Sequence, residues 1–198
     1  MKHFAMLIAF LMTLSSPVAA QSLDKGHAFA KADDYAAALN EWKPLAEQGN
    51  AEAQYLLGFL FRHGLGVASY DDKEAAKWYE LAAEQGHPKS QFELAEAYRW
   101  GTGVIQNYAE AIKWHYRSAK QGSIISQDRL GYVYWEHFDD PESNLLAHMW
   151  YNIAAANGSY DSGRLRDQIA SSMNKADISK AQAMARECMD SGYTKCGY

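Results

Sequence analysis

The side chains with the most chemical potential are seven histidines, two cysteines and 24 carboxylates, and their spacing forms no familiar catalytic pattern. No pair of histidines stands in the His-Glu-x-x-His arrangement that binds zinc on a helix, and no serine occupies a Gly-x-Ser-x-Gly turn. The carboxylates are spread along polar stretches of the chain rather than gathered. We therefore predict a protein without catalytic activity, cofactor or metal ion.

Two Gly-x-Gly segments, at residues 64–66 and 101–103, raise the possibility of a phosphate-binding loop. Such loops follow a strand, and the P-loop form ends in Lys followed by Ser or Thr. Neither condition is met here, since apolar residues at helical spacing precede the glycines and no Lys-Ser/Thr pair follows them. We expect these glycines to turn the chain between two helices.

The two cysteines, Cys188 and Cys196, lie within the last eleven residues of the sequence. In an oxidising compartment such a pair indicates a disulfide that stabilises the fold. The alternative is a redox-active pair, but the seven residues between these cysteines differ from the two that separate the cysteines of oxidoreductases. We predict a structural disulfide.

The first twenty residues have the features of a secretory signal peptide, although an uncleaved anchor is the alternative. Lys2 precedes an apolar run from Phe4 to Leu14, and small residues at Val18 and Ala20 suit cleavage after residue 20. The run is shorter than the ~20 residues of a membrane-spanning helix. Removing it takes away one lysine and changes the net charge from −5 to −6, which argues against nucleic-acid binding. We predict export, to the periplasm or beyond the cell.

Four tryptophans recur at a constant interval of 36 residues: Trp42, Trp78, Trp114 and Trp150. Periods of 20–50 residues are typical of a repeated supersecondary unit, and units of this kind bury their apolar faces only by stacking on one another. Val and Ile are too scattered for strands. We therefore predict an all-α, right-handed solenoid of stacked antiparallel helix hairpins, with about ten helices.

Capping residues place the helices within each unit. Asp71 with Glu74, and Asn107 with Glu110, have the spacing of a capping box, and Ser143 holds the same place in the third unit. Glycines close each second helix, and the next helix is expected to begin directly after Asn50, His87, Ser123 and Ser159. Small residues at positions 58, 95 and 131 are expected to let the paired helices approach closely.

These residues resemble the Sel-1-like repeat family, a subclass of the tetratricopeptide-type α-solenoids. The motif Leu-Gly-x-x-Phe/Tyr, Gly-x-Gly-Val, Ala-x-x-Trp-Tyr and Ala-Ala-Glu-Gln-Gly is complete in residues 51–86, nearly complete in 88–122 and partial in 124–158. Residues 22–49 look like an N-terminal tetratricopeptide-type hairpin. Residues 160–198 resemble the capping helices of exported bacterial members, so that 21–198 would form one domain.

The resemblance implies a non-catalytic scaffold or adaptor, monomeric and exported, that binds a protein or peptide partner through its concave face. Aromatic grooves also stack on sugars, so a module that binds envelope glycan or peptidoglycan is the alternative. A hydrolase acting on cell-wall material is a weaker one.

Residues that face away from the predicted stack are the candidates for partner binding, because positions used in stacking recur whereas these vary. They lie on the first helix of each unit and are rich in the aromatic and arginine side chains that anchor interfaces. The alternative is that they pack between neighbouring hairpins. They are Tyr55, Phe59, Arg62, His63, Phe92, Glu96, Arg99, Trp100, Asp128, Tyr132, Trp135 and Glu136.

Overall fold

The computed structural model describes residues 17–138 and 140–196, and within these ranges the chain forms ten α-helices and no strand. Most of the predicted signal peptide, residues 1–16, lies outside them. The helices are α1 (Pro17–Lys31), α2 (Tyr35–Glu47), α3 (Ala51–His63), α4 (Asp72–Glu84), α5 (Pro88–Trp100), α6 (Tyr108–Lys120), α7 (Ile124–His137), α8 (Pro141–Ala156), α9 (Tyr160–Ala170) and α10 (Lys175–Asp190). The prediction of an all-α fold with about ten helices is confirmed.

Each helix from α1 to α8 packs on the helix that follows it, and α10 returns to pack on α8. The chain is therefore a solenoid of helix hairpins whose units are α1–α2, α3–α4, α5–α6 and α7–α8. The C-terminal helices α9 and α10 cover the last unit. Ser159 caps α9, which begins directly after it at Tyr160.

The predicted helix starts are mostly confirmed. The Asp71 and Asn107 side chains accept hydrogen bonds from the first backbone N–H groups of α4 and α6. In the third unit the prediction was wrong, because Asp140 and not Ser143 caps the helix and Pro141 occupies the first turn. The capping box also stays open, since the Asp71 N–H donates to the Phe61 carbonyl at 2.8 Å and leaves no donor there for a glutamate.

The periodic tryptophans lie in the stack to different degrees. Trp42, Trp114 and Trp150 are at most 5% exposed, whereas Trp78 is only partly buried. The residue after Trp78 and the residue after Trp150 each face a glycine of the paired helix. A methyl group at Gly58 would lie 2.6 Å from the Tyr79 ring, and one at Gly131 would lie 2.8 Å from the Tyr151 ring. The predicted close approach at these positions is confirmed.

The Gly-x-Gly loops hold neighbouring units together. Gly66 and Gly103 both have positive φ angles, and a Cβ atom would collide with the Tyr35 carbonyl group at Gly66 and with the Asp72 carbonyl group at Gly103. Only glycine permits a backbone approach this close. Each loop therefore packs on the start of the second helix of the unit before it, which is a structural role.

Side-chain amides connect successive units, and each connection is centred on a buried glutamine of a first helix. Gln91 donates from Nε2 to the Ala83 carbonyl of the preceding helix at 3.1 Å, and its Oε1 accepts from Gln121 Nε2 at 2.8 Å. The same pattern recurs one unit before and one unit after. We call this set the amide ladder; its members are Gln54, Gln85, Gln91, Gln121, Gln127 and Asn157.

The last member of the amide ladder contacts the C-terminal segment. Asn157 Nδ2 donates to the Tyr193 hydroxyl at 2.8 Å, and Tyr193 lies in the short loop that the Cys188–Cys196 disulfide closes. Both cysteines are buried. The predicted cysteine pairing is confirmed, and the disulfide holds Tyr193 against the end of the ladder.

Replacing Gln91 with leucine should lower the free energy of unfolding by about 1–3 kcal/mol, because it removes one buried and one partly buried hydrogen bond worth about 0.5–1.5 kcal/mol each. Urea unfolding followed by circular dichroism measures the change. Gln182→Leu, on the exposed face of α10, is the matched control and should change stability by no more than about 0.5 kcal/mol. Equal effects of the two substitutions would contradict a structural role for the ladder.

Reducing the disulfide should lower the free energy of unfolding by about 2.5 kcal/mol, the chain-entropy cost of opening so short a loop. Hydrogen exchange should locate the loosening in α8, α10 and residues 191–196, because Tyr193 is then free to leave Asn157. Increased exchange that extends equally into α3 and α4 would show that the disulfide stabilises more than the C-terminal end.

Candidate functional site

The first helices of the units, α3, α5, α7 and α9, are joined to one another by polar contacts on one side of the molecule. Arg62 lies 3.7 Å from Glu93, Arg129 lies 3.8 Å from Glu96, and Ser162 Oγ donates to Asp128 at 2.6 Å. We call the surface that these contacts follow the first-helix face. Three of the candidate residues predicted from the sequence, Arg62, Glu96 and Asp128, make these contacts.

Several aromatic side chains on the first-helix face remain open to solvent near the C-terminal ends of the helices. Trp100 is 60% exposed and Phe59 is 37% exposed, with its ring 4.4 Å from that of His63. Trp135 is partly buried. Exposed aromatic side chains beside arginine are typical of protein interfaces.

A cavity of about 440 Å³ lies on the same face, toward the N-terminal ends of α5 and α7. Tyr55 and Phe92, both predicted as candidate residues, line it together with Ile125, which is 59% exposed. Its rim includes Lys89 and Glu93. The structure therefore brings two of the predicted aromatic residues into one concave site.

Two of the predicted contact residues, Glu96 and Arg99, lie beneath this surface instead of on it. They are 9% and 6% exposed, and Arg99 donates to both carboxylate oxygens of Glu96, at 3.0 and 2.5 Å. His115 Nε2 lies 3.1 Å from Glu96 and belongs to a fully buried ring. Their role toward a partner would be indirect, through the residues that they hold.

Arg99 holds the aromatic rings at the edge of the face. Its guanidinium carbon lies 4.1 Å from the centre of the Trp100 ring and 5.4 Å from that of Tyr132. Because two hydrogen bonds to Glu96 restrain the guanidinium group, both rings pack against a cation with a fixed position. Trp100 is thereby held in place although most of its surface is exposed.

The charges in this cluster are well defined. Burial alone would raise the pKa of Glu96, but the hydrogen bonds from His115 and Arg99 outweigh it and hold that pKa at about 2. Burial lowers the pKa of His115 despite the hydrogen bond to Glu96. At neutral pH a neutral imidazole therefore donates its Nε2 proton to an ionised carboxylate.

Glu96 and His115 stand at positions where the other units have aromatic residues. An alignment of the repeats in the sequence shows this difference. His115 stands where the neighbouring units have Tyr79 and Tyr151, and Ala95 stands where they have glycine. Glu96 likewise replaces an aromatic residue, so the middle unit departs from the repeat in several residues that contact one another.

The cluster offers no accessible catalytic group, because the His115 ring is fully buried. The other carboxylate–histidine pair on this face joins Glu52 to His87, whose ring caps α5. Among residues 17–138 and 140–196, no three His, Cys, Asp or Glu side chains are arranged to hold a metal ion. No helix in the described part of the chain combines the length and apolarity needed to cross a membrane.

Comparison with known proteins identifies the repeat. A family model described as Sel1 repeat matches residues 51–87, 88–123 and 124–159. A Sel1 repeat protein from Oxalobacter formigenes is 34% identical, with a TM-score of 0.64 over 71% of this chain and 57% of its own. A protective antigen of uropathogenic Escherichia coli with an SLR fold is 26% identical, with a TM-score of 0.67 over 91% of this chain and 43% of its own.

The chain thus spans about half the length of these two solved structures. A comparison with curated proteins gives no match.

The buried cluster should make stability depend on pH in two steps. As the pH falls below 6.5, the usual pKa of histidine, the unfolded chain binds a proton at His115 that the folded chain does not, so stability decreases. His148, whose pKa burial also lowers, acts in the same direction. Between pH 4.5 and about 2, stability decreases further because only the unfolded chain protonates Glu96.

Urea unfolding between pH 7 and pH 5 tests the first step. His115→Gln keeps a side-chain donor but does not titrate, so it should reduce the loss of stability over this range and leave the share that His148 contributes. An unchanged slope in His115→Gln would show that His115 is protonated equally in the folded and unfolded states.

Proposed function

The chain belongs to the Sel1 repeat family, and we propose that it is an exported, non-catalytic scaffold that binds a protein or peptide through the first-helix face. Sel1 repeats are in general protein–protein interaction modules. In a solenoid of helix hairpins, the residues used in stacking recur and the remaining surface is extended, which suits a long partner segment.

The observation that carries this proposal is that exposed apolar side chains and a concave site occur together on the first-helix face. Phe59 and Trp100 stand on neighbouring first helices, and the cavity beside Ile125 lies on the same side. Aromatic side chains backed by arginine are typical interface anchors. Because Arg99 already fixes Trp100, a partner would meet an ordered ring and lose less conformational entropy on binding.

Export is supported by the signal-like residues 1–20 and by the disulfide, since disulfides persist in oxidising compartments. We propose the periplasm as the location, with the extracellular space as the alternative.

A glycan-binding role is the second candidate, and the exposed indole of Trp100 favours it. A flat aromatic ring open to solvent can stack against a sugar ring as well as against a peptide. The cavity at Tyr55 and Phe92 favours the peptide instead, because it offers a concave apolar site for a side chain.

Site-directed photo-crosslinking in living cells tests the proposal even though the partner is unidentified. Benzoylphenylalanine is placed at Phe59 on the first-helix face or at Leu81 on α4, which are 37% and 45% exposed and so form a matched pair. We expect a discrete crosslinked protein from position 59 and none from position 81. Trp100→Ala should reduce the yield at position 59 while the helical circular dichroism is unchanged.

The other outcomes are equally informative. A product formed equally from position 81, or one indifferent to Trp100→Ala, would contradict binding through the first-helix face. Retention of the protein on peptidoglycan or envelope glycan, with no crosslinked protein from either position, would favour the glycan-binding role.

A further inference from the structure

Two charged residues lie at the rim of the cavity at Tyr55 and Phe92, and only one of them has an ion-pair partner in the part of the chain that the structure describes. Glu93 lies 3.7 Å from the Arg62 guanidinium group. Lys89 has no carboxylate within 4.0 Å among the described residues, and its ammonium group lies 5.4 Å from the centre of the Tyr55 ring. The rim therefore carries one ammonium group that forms no ion pair in the described part of the chain, although burial, together with the nearby carboxylates of Glu93 and Glu52, raises the pKa of Tyr55.

The remaining polar groups around the cavity are already occupied. Gln121 donates to the Gly86 carbonyl at 2.9 Å and to Gln91 at 2.8 Å as part of the amide ladder. Ser123 caps α7 and donates to Ser126 Oγ at 3.1 Å. What the cavity still offers to a ligand is apolar surface and the Lys89 ammonium group.

The apolar part of the cavity is only half covered by the protein itself. Tyr55 and Phe92 are partly buried, and Ile125 at the border is 59% exposed. The volume of about 440 Å³ is near the lower end of the ~300–1,000 Å³ range of small-ligand sites. That space suits one large side chain with its neighbouring backbone, and not a whole helix.

We propose that this cavity recognises an apolar side chain of the partner with an acidic residue directly beside it in the partner sequence. The apolar side chain packs on Tyr55, Phe92 and Ile125, and the carboxylate pairs with Lys89. This inference rests on the proposed function, because it names the chemistry of the segment that the first-helix face would bind.

The negative net charge of the protein limits where an acidic residue of the partner can bind. With a net charge of −5, the surface as a whole repels acidic segments, so an acidic residue is favoured only where a local cation stands free. The ion pair would be exposed and therefore weak, on the order of a two- to fivefold effect on affinity. The apolar contact would thus provide most of the affinity, and Lys89 would favour those partner segments that carry an acidic residue.

Three short peptides test the inference on the full-length protein. They are acetylated and amidated Ser-Gly-Phe-Asp-Gly-Ser and its Asn and Lys counterparts at the fourth position, titrated while backbone NMR signals are followed. We expect shifts centred on Lys89, Phe92 and Ile125, with the Asp peptide binding roughly two- to fivefold more tightly than the Lys peptide. Lys89→Glu should reverse that order, whereas Lys180→Glu, exposed on α10, should preserve it.

Shifts that miss the cavity, or an order of binding that Lys89→Glu leaves unchanged, would overturn the inference. The scaffold proposal fails separately, by the crosslinking result at positions 59 and 81. A crosslinked protein that depends on Trp100, combined with no effect of Lys89→Glu on peptide preference, would leave the scaffold in place and remove only the acidic specificity.

Discussion

The amide ladder is the interaction on which the rest of the structure depends. In the three units that begin with α3, α5 and α7, a buried glutamine of the first helix bonds to a carbonyl in the last turn of the preceding helix, where intrahelical partners run out. The side-chain oxygen of that glutamine accepts a hydrogen bond from a side-chain amide at the end of the second helix of the same unit. Since unpaired buried polar groups are costly, this pattern allows one spacing between units and disfavours slipped ones.

The contacts between stacked units determine which residues remain available for binding. The stacking positions are occupied by the tryptophans, the small residues opposite the tyrosines and the Gly-x-Gly contacts, all of which repeat. Parts of the first-helix face do not repeat, and the middle unit departs from its neighbours in Glu96 and His115. Glu96 bonds to His115 and pairs with Arg99, which aligns with Arg62 of the preceding unit. A buried ion pair does not by itself argue for stability. Here the pair holds Arg99 against the Trp100 ring, so that a buried contact positions an exposed residue of the first-helix face.

The sequence predicted the features that depend on local signals. The 36-residue period, the caps at Asp71 and Asn107 and the pairing of the cysteines each follow from residue type and spacing, and each is confirmed. The amide ladder was missed because a glutamine on a helix looks the same whether it faces solvent or a neighbouring carbonyl. Burial of Arg99 was missed for the same reason, since its i,i+3 pairing with Glu96 occurs equally often on exposed surfaces. These outcomes depend on the next unit, which local spacing does not describe.

Solvent exchange of the side-chain amides tests whether the buried glutamines hold successive units in register. NMR can follow the side-chain NH₂ protons of Gln54, Gln91 and Gln127 against those of Gln168 and Gln182, which lie on exposed surfaces of α9 and α10. We expect the three ladder amides to exchange far more slowly than the two exposed ones. Equal exchange rates in all five would contradict this role of the buried glutamines.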